Sequence, residues 1–266
     1  YVNTLVRGCA PAAPATNAHA IPAASLRLRA ISHSPCRLQP VYSPPRFPQR
    51  QTLPAFPYTP LRVPPTSQKL IVGLGNPGSQ YAKTRHNAGF MLIDRLSPAS
   101  SIPKSRFQSS LIDAELAGQR CLLLKPLTFM NRSGQAVAEA LSFFKLSPAS
   151  DLLVIVDDLY LPCGSLRLRP SGGTGGHNGL EDITRALASD AYPRLRIGVG
   201  MLPSGGKPPQ FDQADYVLSR FADDELPLVD AAIKKAAPGV ELWATKGLTA
   251  AMNRLNAPDP APPKSP

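Results

Sequence analysis

Four short stretches of this 266-residue sequence carry side chains able to do chemistry: the Asn76 turn with "TRHNAG" after it, "TFMN", "VDDLYLP" and "GGTGGHNG". They offer Asn76, His86 and Asn87; Met130 and Asn131; Asp157 and Asp158; His177 and Asn178. A histidine beside an aspartate, with carboxamides near, is a water-activating set. The imidazole takes the proton, and the carboxylate fixes its tautomer and stabilises the imidazolium. Asn side chains hold a carbonyl or a developing oxyanion. His86 and His177 compete for the role of base. Each group also has an ordinary reading: Asn76 and Asn131 as turn and cap residues, Asp157 as an acceptor of backbone amides, Met130 as core, Arg167 and Arg169 as a solvated strand face. No G-x-S-x-G elbow and no metal-ligand spacing occurs, and Cys121 and Cys163 form no C-x-x-C pair. Neither a covalent serine, nor a metal, nor a cofactor is expected.

"LIVGLGNPG" (70–78) fits G-x-G-x-x-G through Gly73, Gly75 and Gly78, and Asp94 lies about 20 residues further on. A lone match of this kind is weak support for a dinucleotide-dependent oxidoreductase. The surrounding elements have to decide.

Those elements alternate. Buried strands are read at 69–75 and 151–158, the second ending in the paired Asp. A hairpin is read over 110–126, turning near Ala117-Gly118-Gln119. Helices are read at 88–97, 131–146 with Asn131 as N-cap, and 180–189. Further strands cover 164–170, with Arg167 and Arg169 on one side, and 194–200. "SGGTGGHNG" reads as a mobile loop. A C-terminal helix, acidic at its start, should kink or break at Pro238-Gly239. The class is therefore α/β in a single domain, a twisted, mostly parallel mixed sheet flanked by helices. In such a sheet Asn76, Asn131 and Asp157 reach one mouth, at the C-terminal strand ends.

The formal net charge is +11, but unevenly placed. Residues 1–67 hold seven Arg, no Lys and no acid; the remainder nets only +4. That leader, rich in Pro, Ala and Ser, reads as an organelle transit peptide. Residues 68–256 form the folded domain, and 257–266 a disordered tail. No apolar run of membrane-spanning length occurs, so no membrane partner is expected.

Taken together, "LIVGLGNPGSQYAKTRHNAGF", "KPLTFMNRSGQAV", "VDDLYLPCGSLRLRPSGGTGGHNGLEDI" and "RLRIGVG" resemble the bacterial-type peptidyl-tRNA hydrolase family, in order from about Lys69 to Leu255. The resemblance implies hydrolysis of the ester between a peptide and the 3′-terminal ribose of tRNA. It implies His86 as general base and Asp157 as its orienting acid. Asn76 and Asn131 would position the peptide and the attacked carbonyl, Asn178 the water or terminal nucleotide, and Met130 and Tyr81 would line the peptide cleft. Arg167, Arg169 and Arg196, with Arg194 extending the rim, would grip tRNA phosphate. The implied glycine turn shapes a wall of the site and holds no dinucleotide. The expected partner is peptidyl-tRNA, the expected state a monomer, and the expected compartment the chloroplast before the mitochondrion. Three positions depart from the family's usual pattern: Val156, Tyr160 and Thr174. The first two keep open a role as a plant-organelle intron-splicing factor built on the same fold.

Overall fold

A computed structural model describes residues 68–201 and 203–257. The expected leader, and all of the tail beyond Ala257, lie outside the described residues. The strands are β1 (Lys69–Gly73), β2 (Lys104–Arg106), β3 (Ser109–Leu116), β4 (Gln119–Pro126), β5 (Leu152–Pro162), β6 (Leu166–Arg169) and β7 (Arg194–Gly200). They form one sheet in the order β2-β3-β4-β1-β5-β7-β6. The four central strands run parallel, and antiparallel pairs close both edges. The helices are α1 (Ala88–Leu96), α2 (Ser133–Phe144), α3 (Pro148–Asp151), α4 (Asn178–Leu187), α5 (Gln213–Leu218), α6 (Leu226–Lys246) and α7 (Leu248–Leu255). Among the described residues, no helix is long and apolar enough to cross a membrane.

Strand alternation divides the core. Ile71, Leu123, Leu153 and Ile155 face α1, α6 and α7. Their neighbours Leu70, Val72, Leu122, Val154 and Val156 face α2 and α4. Both faces are covered, so the central strands read as unbroken apolar runs. β1 pairs with β5 only as far as Gly73 opposite Ile155. β5 continues beyond that end, and Asp157 sits on the overhang.

The glycine motif proves to be a packing device. A Cβ on Gly73 would lie 2.4 Å from the Gly89 carbonyl, and one on Gly75 would lie 2.7 Å from the Phe90 ring. A Cβ on Gly89 would meet the Leu74 backbone at 2.5 Å. Small residues here let α1 cross directly over β1 and β5. Asp94, the mimic of a ribose ligand, is exposed and pairs with Lys125 at 2.5 Å.

Two readings need correction, and one strand was not foreseen. Asn131 is not an N-cap: it sits in a 3-10 turn, Met130–Arg132, and α2 begins at Ser133 with no side-chain cap. α6 does not break at Pro238; it runs through it. An interior proline costs about 3 kcal/mol. Val229, Ile233, Val240 and Trp243 are buried along the same helix, at roughly 1.5–3 kcal/mol per large apolar side chain. Burial outweighs the proline, and Gly239 makes room for Leu255 of α7. β2 escaped the sequence pattern because its turn uses Phe107 and Gln108 at φ 52° and 49°, where glycine or asparagine is the usual signal. Aromatic packing holds that turn: Phe107 lies 5.6 Å from Phe143 and 5.9 Å from Phe144, ring to ring.

Candidate active site

His86 stands in a one-turn 3-10 helix, Arg85–Asn87, that leads straight into α1. Its neighbours fix the turn. Arg85 makes a buried two-pronged ion pair with Glu225 at 2.9 and 2.6 Å and stacks 4.3 Å from the Tyr216 ring. Asn87 donates to the Asn76 carbonyl and accepts the Asn76 N–H, both at 2.9 Å. Asn76 Oδ1 in turn accepts the Met130 N–H at 3.0 Å. A relay of carboxamides thus ties the end of β1 to the turn after β4, and among the described residues nothing accepts from Asn76 Nδ2.

Asp157 is 3 % exposed and lies between both histidines. His86 Nδ1 approaches its two oxygens at 3.0 and 3.1 Å, and His177 Nε2 approaches Oδ1 at 2.9 Å. Burial alone would raise the Asp157 pKa, but the two histidines, by charge and by hydrogen bonds, hold it well below the usual carboxylate range. An ionised carboxylate only accepts. Both facing nitrogens therefore carry protons. For His177 that settles the other nitrogen: Nδ1 accepts the Gly179 and Leu180 N–H groups at 3.2 and 3.3 Å, capping α4. Both of its nitrogens are spent. His86 has Nε2 left over, with a lone pair and no hydrogen-bond partner among the described residues. Burial pulls the His86 imidazolium down, while the charge and hydrogen bond of Asp157 more than offset it, so its pKa is raised overall.

A cavity of about 260 Å³ opens over this pair, lined by His86, Asp157, His177, Asn178, Arg196 and Tyr160 among others. Gln213, Ala214 and Val217 of α5 close one side; the six residues of that helix were not foreseen, being too few to show a period. Asn76 lines a second cavity of about 300 Å³ with Asn87, Phe90 and Met91. Met130 is buried beneath, its sulfur 2.7 Å from where a Cβ on Gly179 would stand.

Two expected peptide contacts are not brought in. Tyr81 lines neither of these cavities, and Asn131 is exposed in a separate depression with Gln108 and Thr128. The arginines also divide. Arg167 and Arg169 are exposed on the edge strand β6. Arg196, opposite Arg167, pairs with Asp158 at 2.9 Å and holds the Gly173 carbonyl at 2.6 Å. Arg194 is no part of a basic rim. It is fully buried, stacked 4.3 Å from Tyr192 and bonded to the Gly172 carbonyl. Burial lowers its pKa. The glycine loop thus rests on two guanidinium groups. Of the three departures, Val156 is core and Tyr160 is exposed. Thr174 Oγ1 reaches Glu181 at 3.3 Å.

His86, Asp157 and His177 also bring three possible metal-ligand atoms within 4.8 Å of one another. Sequence spacing could not show this group, since it joins three separate elements. The geometry fits a hydrogen-bonded set better than an ion. Each imidazole nitrogen facing Asp157 carries a proton and has no lone pair to give on that side.

Fold and site define an α/β protein with a carboxylate-backed imidazole at the C-terminal rim of its sheet. The peptidyl-tRNA hydrolase family profile matches residues 70–263. Over 189 residues the chain is 47 % identical to a peptidyl-tRNA hydrolase of Chloroflexus aggregans, covering 70 % of this chain and 98 % of that one. It is 48 % identical over 194 residues to a Synechococcus peptidyl-tRNA hydrolase, covering 72 % and 84 %. The crystal structure of peptidyl-tRNA hydrolase from Acinetobacter baumannii superposes with a TM-score of 0.66 at 38 % identity, over 73 % of this chain and 97 % of that one. The chain belongs to the peptidyl-tRNA hydrolase family.

Proposed function

We propose that this chain hydrolyses the ester linking a peptide to the 3′-terminal ribose of tRNA, with His86 as general base. The observation that carries this is the unequal use of two histidines on one carboxylate. Only His86 keeps a free nitrogen, at the wall of the cavity. Water there loses a proton to His86 Nε2 as its oxygen attacks the ester carbonyl. Asp157 stabilises the imidazolium that forms. The carboxamides of Asn178 and Asn76 supply N–H donors for the oxyanion. The tetrahedral adduct collapses, the ribose oxygen takes the proton from His86, and free peptide and tRNA leave. An ester has a fairly good leaving group, so these residues suffice. Arg167 and Arg169, exposed and without an ion-pair partner among the described residues, are the phosphate ligands of this reading. Arg196 acts as the strut between Asp158 and the glycine loop.

The full chain should release tRNA from an N-blocked aminoacyl-tRNA. In His86→Ala, turnover should fall by about 10²–10⁴-fold, while tRNA binding, followed by gel shift, survives. Full activity in that variant would end the mechanism.

Residues 1–67, with seven Arg and no acid, we read as a transit peptide directing a monomeric enzyme to the chloroplast. A fluorescent protein carrying residues 1–67 should enter chloroplasts when expressed in leaf cells; cytosolic fluorescence would remove this reading. The splicing role draws less support. It calls for an apolar docking face over the C-terminal helices, and the large apolar side chains well exposed there are Leu226 and Leu228, both in the first turn of α6.

A further inference from the structure

Tyr160 is the exposed large apolar side chain among the residues lining the catalytic cavity, and no described residue packs a ring or a cation on it. It is 63 % exposed, and its ring and hydroxyl make no hydrogen bond, ring stack or cation contact among the described residues. Its backbone, by contrast, is pinned. The Tyr160 N–H donates to Asp158 Oδ1 at 2.8 Å. Its carbonyl is crowded by Gly205, where a Cβ would stand 2.5 Å from the oxygen and where φ is +83°. The next residue back, Leu159, accepts the Gly206 N–H at 2.7 Å. A side chain without partners on a backbone held from two sides is a platform prepared for a planar ligand. Such preorganisation lowers the entropy lost when the ligand arrives.

The charges around it choose the kind of ligand. Asp158, the acid nearest in sequence, is neutralised by Arg196 at 2.9 Å, which leaves Asp212 on the α5 side as the exposed carboxylate of the cavity lining. Arg167 stands opposite Arg196 across β6 and β7, with Arg169 next on the same face, both exposed. The cavity around Asn76 differs: its walls include Phe90, Met91 and Leu127 beside carboxamides, which suits a peptide. Ring and guanidinium groups together are how proteins hold an unpaired nucleotide, the base stacked and the phosphates paired with arginine.

Resting on the hydrolase reading above, we infer that Tyr160 stacks against the 3′-terminal base of the tRNA and so sets which terminal nucleotide is accepted. This places the nucleoside on the β5–β7 side of His86 and the peptide on the Asn76 side. Tyr160 binds substrate and takes no part in proton transfer.

The test compares wild type, Tyr160→Phe and Tyr160→Ala, all as the full chain. The substrates are two N-acetyl-aminoacyl-tRNAs that differ only in a terminal adenosine or cytidine. Tyr160→Ala should raise KM for the adenosine-ended substrate about tenfold, within the usual worth of a base on an aromatic ring. Its kcat should stay within about twofold, and Tyr160→Phe should match wild type. With the cytidine-ended substrate the gap between wild type and Tyr160→Ala should narrow. An unchanged KM in Tyr160→Ala, or a loss that is the same for both terminal bases, overturns the inference. So does an equal loss in Tyr160→Phe, which would point to the hydroxyl. Binding of uncharged hairpin RNAs ending in CCA or CCC, read by fluorescence anisotropy, keeps this separate from the hydrolase reading. Should wild type fail to cleave either ester, the hydrolase reading falls, and a Tyr160-dependent preference for the CCA hairpin still sustains the stacking site. Equal affinities of wild type and Tyr160→Ala for that hairpin would refute it.

Discussion

His86 and His177 are two imidazoles on one carboxylate, with ring centroids 4.9 Å apart, yet the fold makes them different reagents. His86 arrives on a short turn whose backbone is held from outside, by Arg85 to Glu225 and by Asn87 to Asn76. Its own ring owes the fold a single nitrogen. His177 arrives as the residue that starts a helix, and a helix start has N–H groups to satisfy. It gives one nitrogen to that debt and the other to Asp157. Proximity to an acid therefore does not make a base. What matters is which lone pair the surrounding backbone leaves unclaimed.

The sharpest break of this comparison is to remove each ring in turn. Against the loss of about 10²–10⁴-fold expected for His86→Ala, His177→Gln should keep much of the rate, because an amide can still accept the helix N–H groups and donate to Asp157. Equal losses in the two variants would erase the distinction.

Next comes the shared acid. Asp157→Asn should cost about 10²-fold or more in kcat, though less than loss of the base itself. It should also move the pH profile. In the wild type the partnership with Asp157 raises the His86 pKa. The base is active only when unprotonated, so kcat/KM should rise with pH along a limb lying above the ordinary histidine value of about 6.5. Without the carboxylate charge, burial remains and favours the neutral ring, so the limb should shift to lower pH. A limb that stays in place would mean that another group controls it.

The smallest effect concerns stability. His177→Ala removes a helix cap, which typically costs about 0.5–2 kcal/mol, and it should lower the urea midpoint with no change in the slope of the transition. A variant as stable as wild type would show that the α4 amides find another acceptor.

Much of this was legible in the sequence, and the reasons are local. A strand such as "LLVIVDD" buried on both faces announces itself as a continuous apolar run, and Ala117-Gly118 at φ 48° and +83° is a turn that short-range chemistry dictates. His86, His177, Asp157 and Asn76 could be named as candidates because their residue types suit one reaction, and the family resemblance alone preferred His86. Other features left no local trace. Arg196 and Arg194 look alike in "RLRIG", yet one braces the cavity and the other is buried against Tyr192. The 140-residue separation of Arg85 from Glu225 hides the pair that steadies the His86 turn. Pro238 signals a break that the packing of α6 overrides.

Sequence alone determined the α/β class, the paired faces of the central strands and the short list of groups able to move a proton. Period, turn chemistry and side-chain type act over a few residues, so they can be read along the chain. Only the tertiary structure decided which histidine keeps an unclaimed nitrogen, which arginines stand exposed and which aromatic ring lines the cavity. Those properties depend on hydrogen bonds and burial between distant segments. A lone pair is available or spent according to what the folded chain brings beside it.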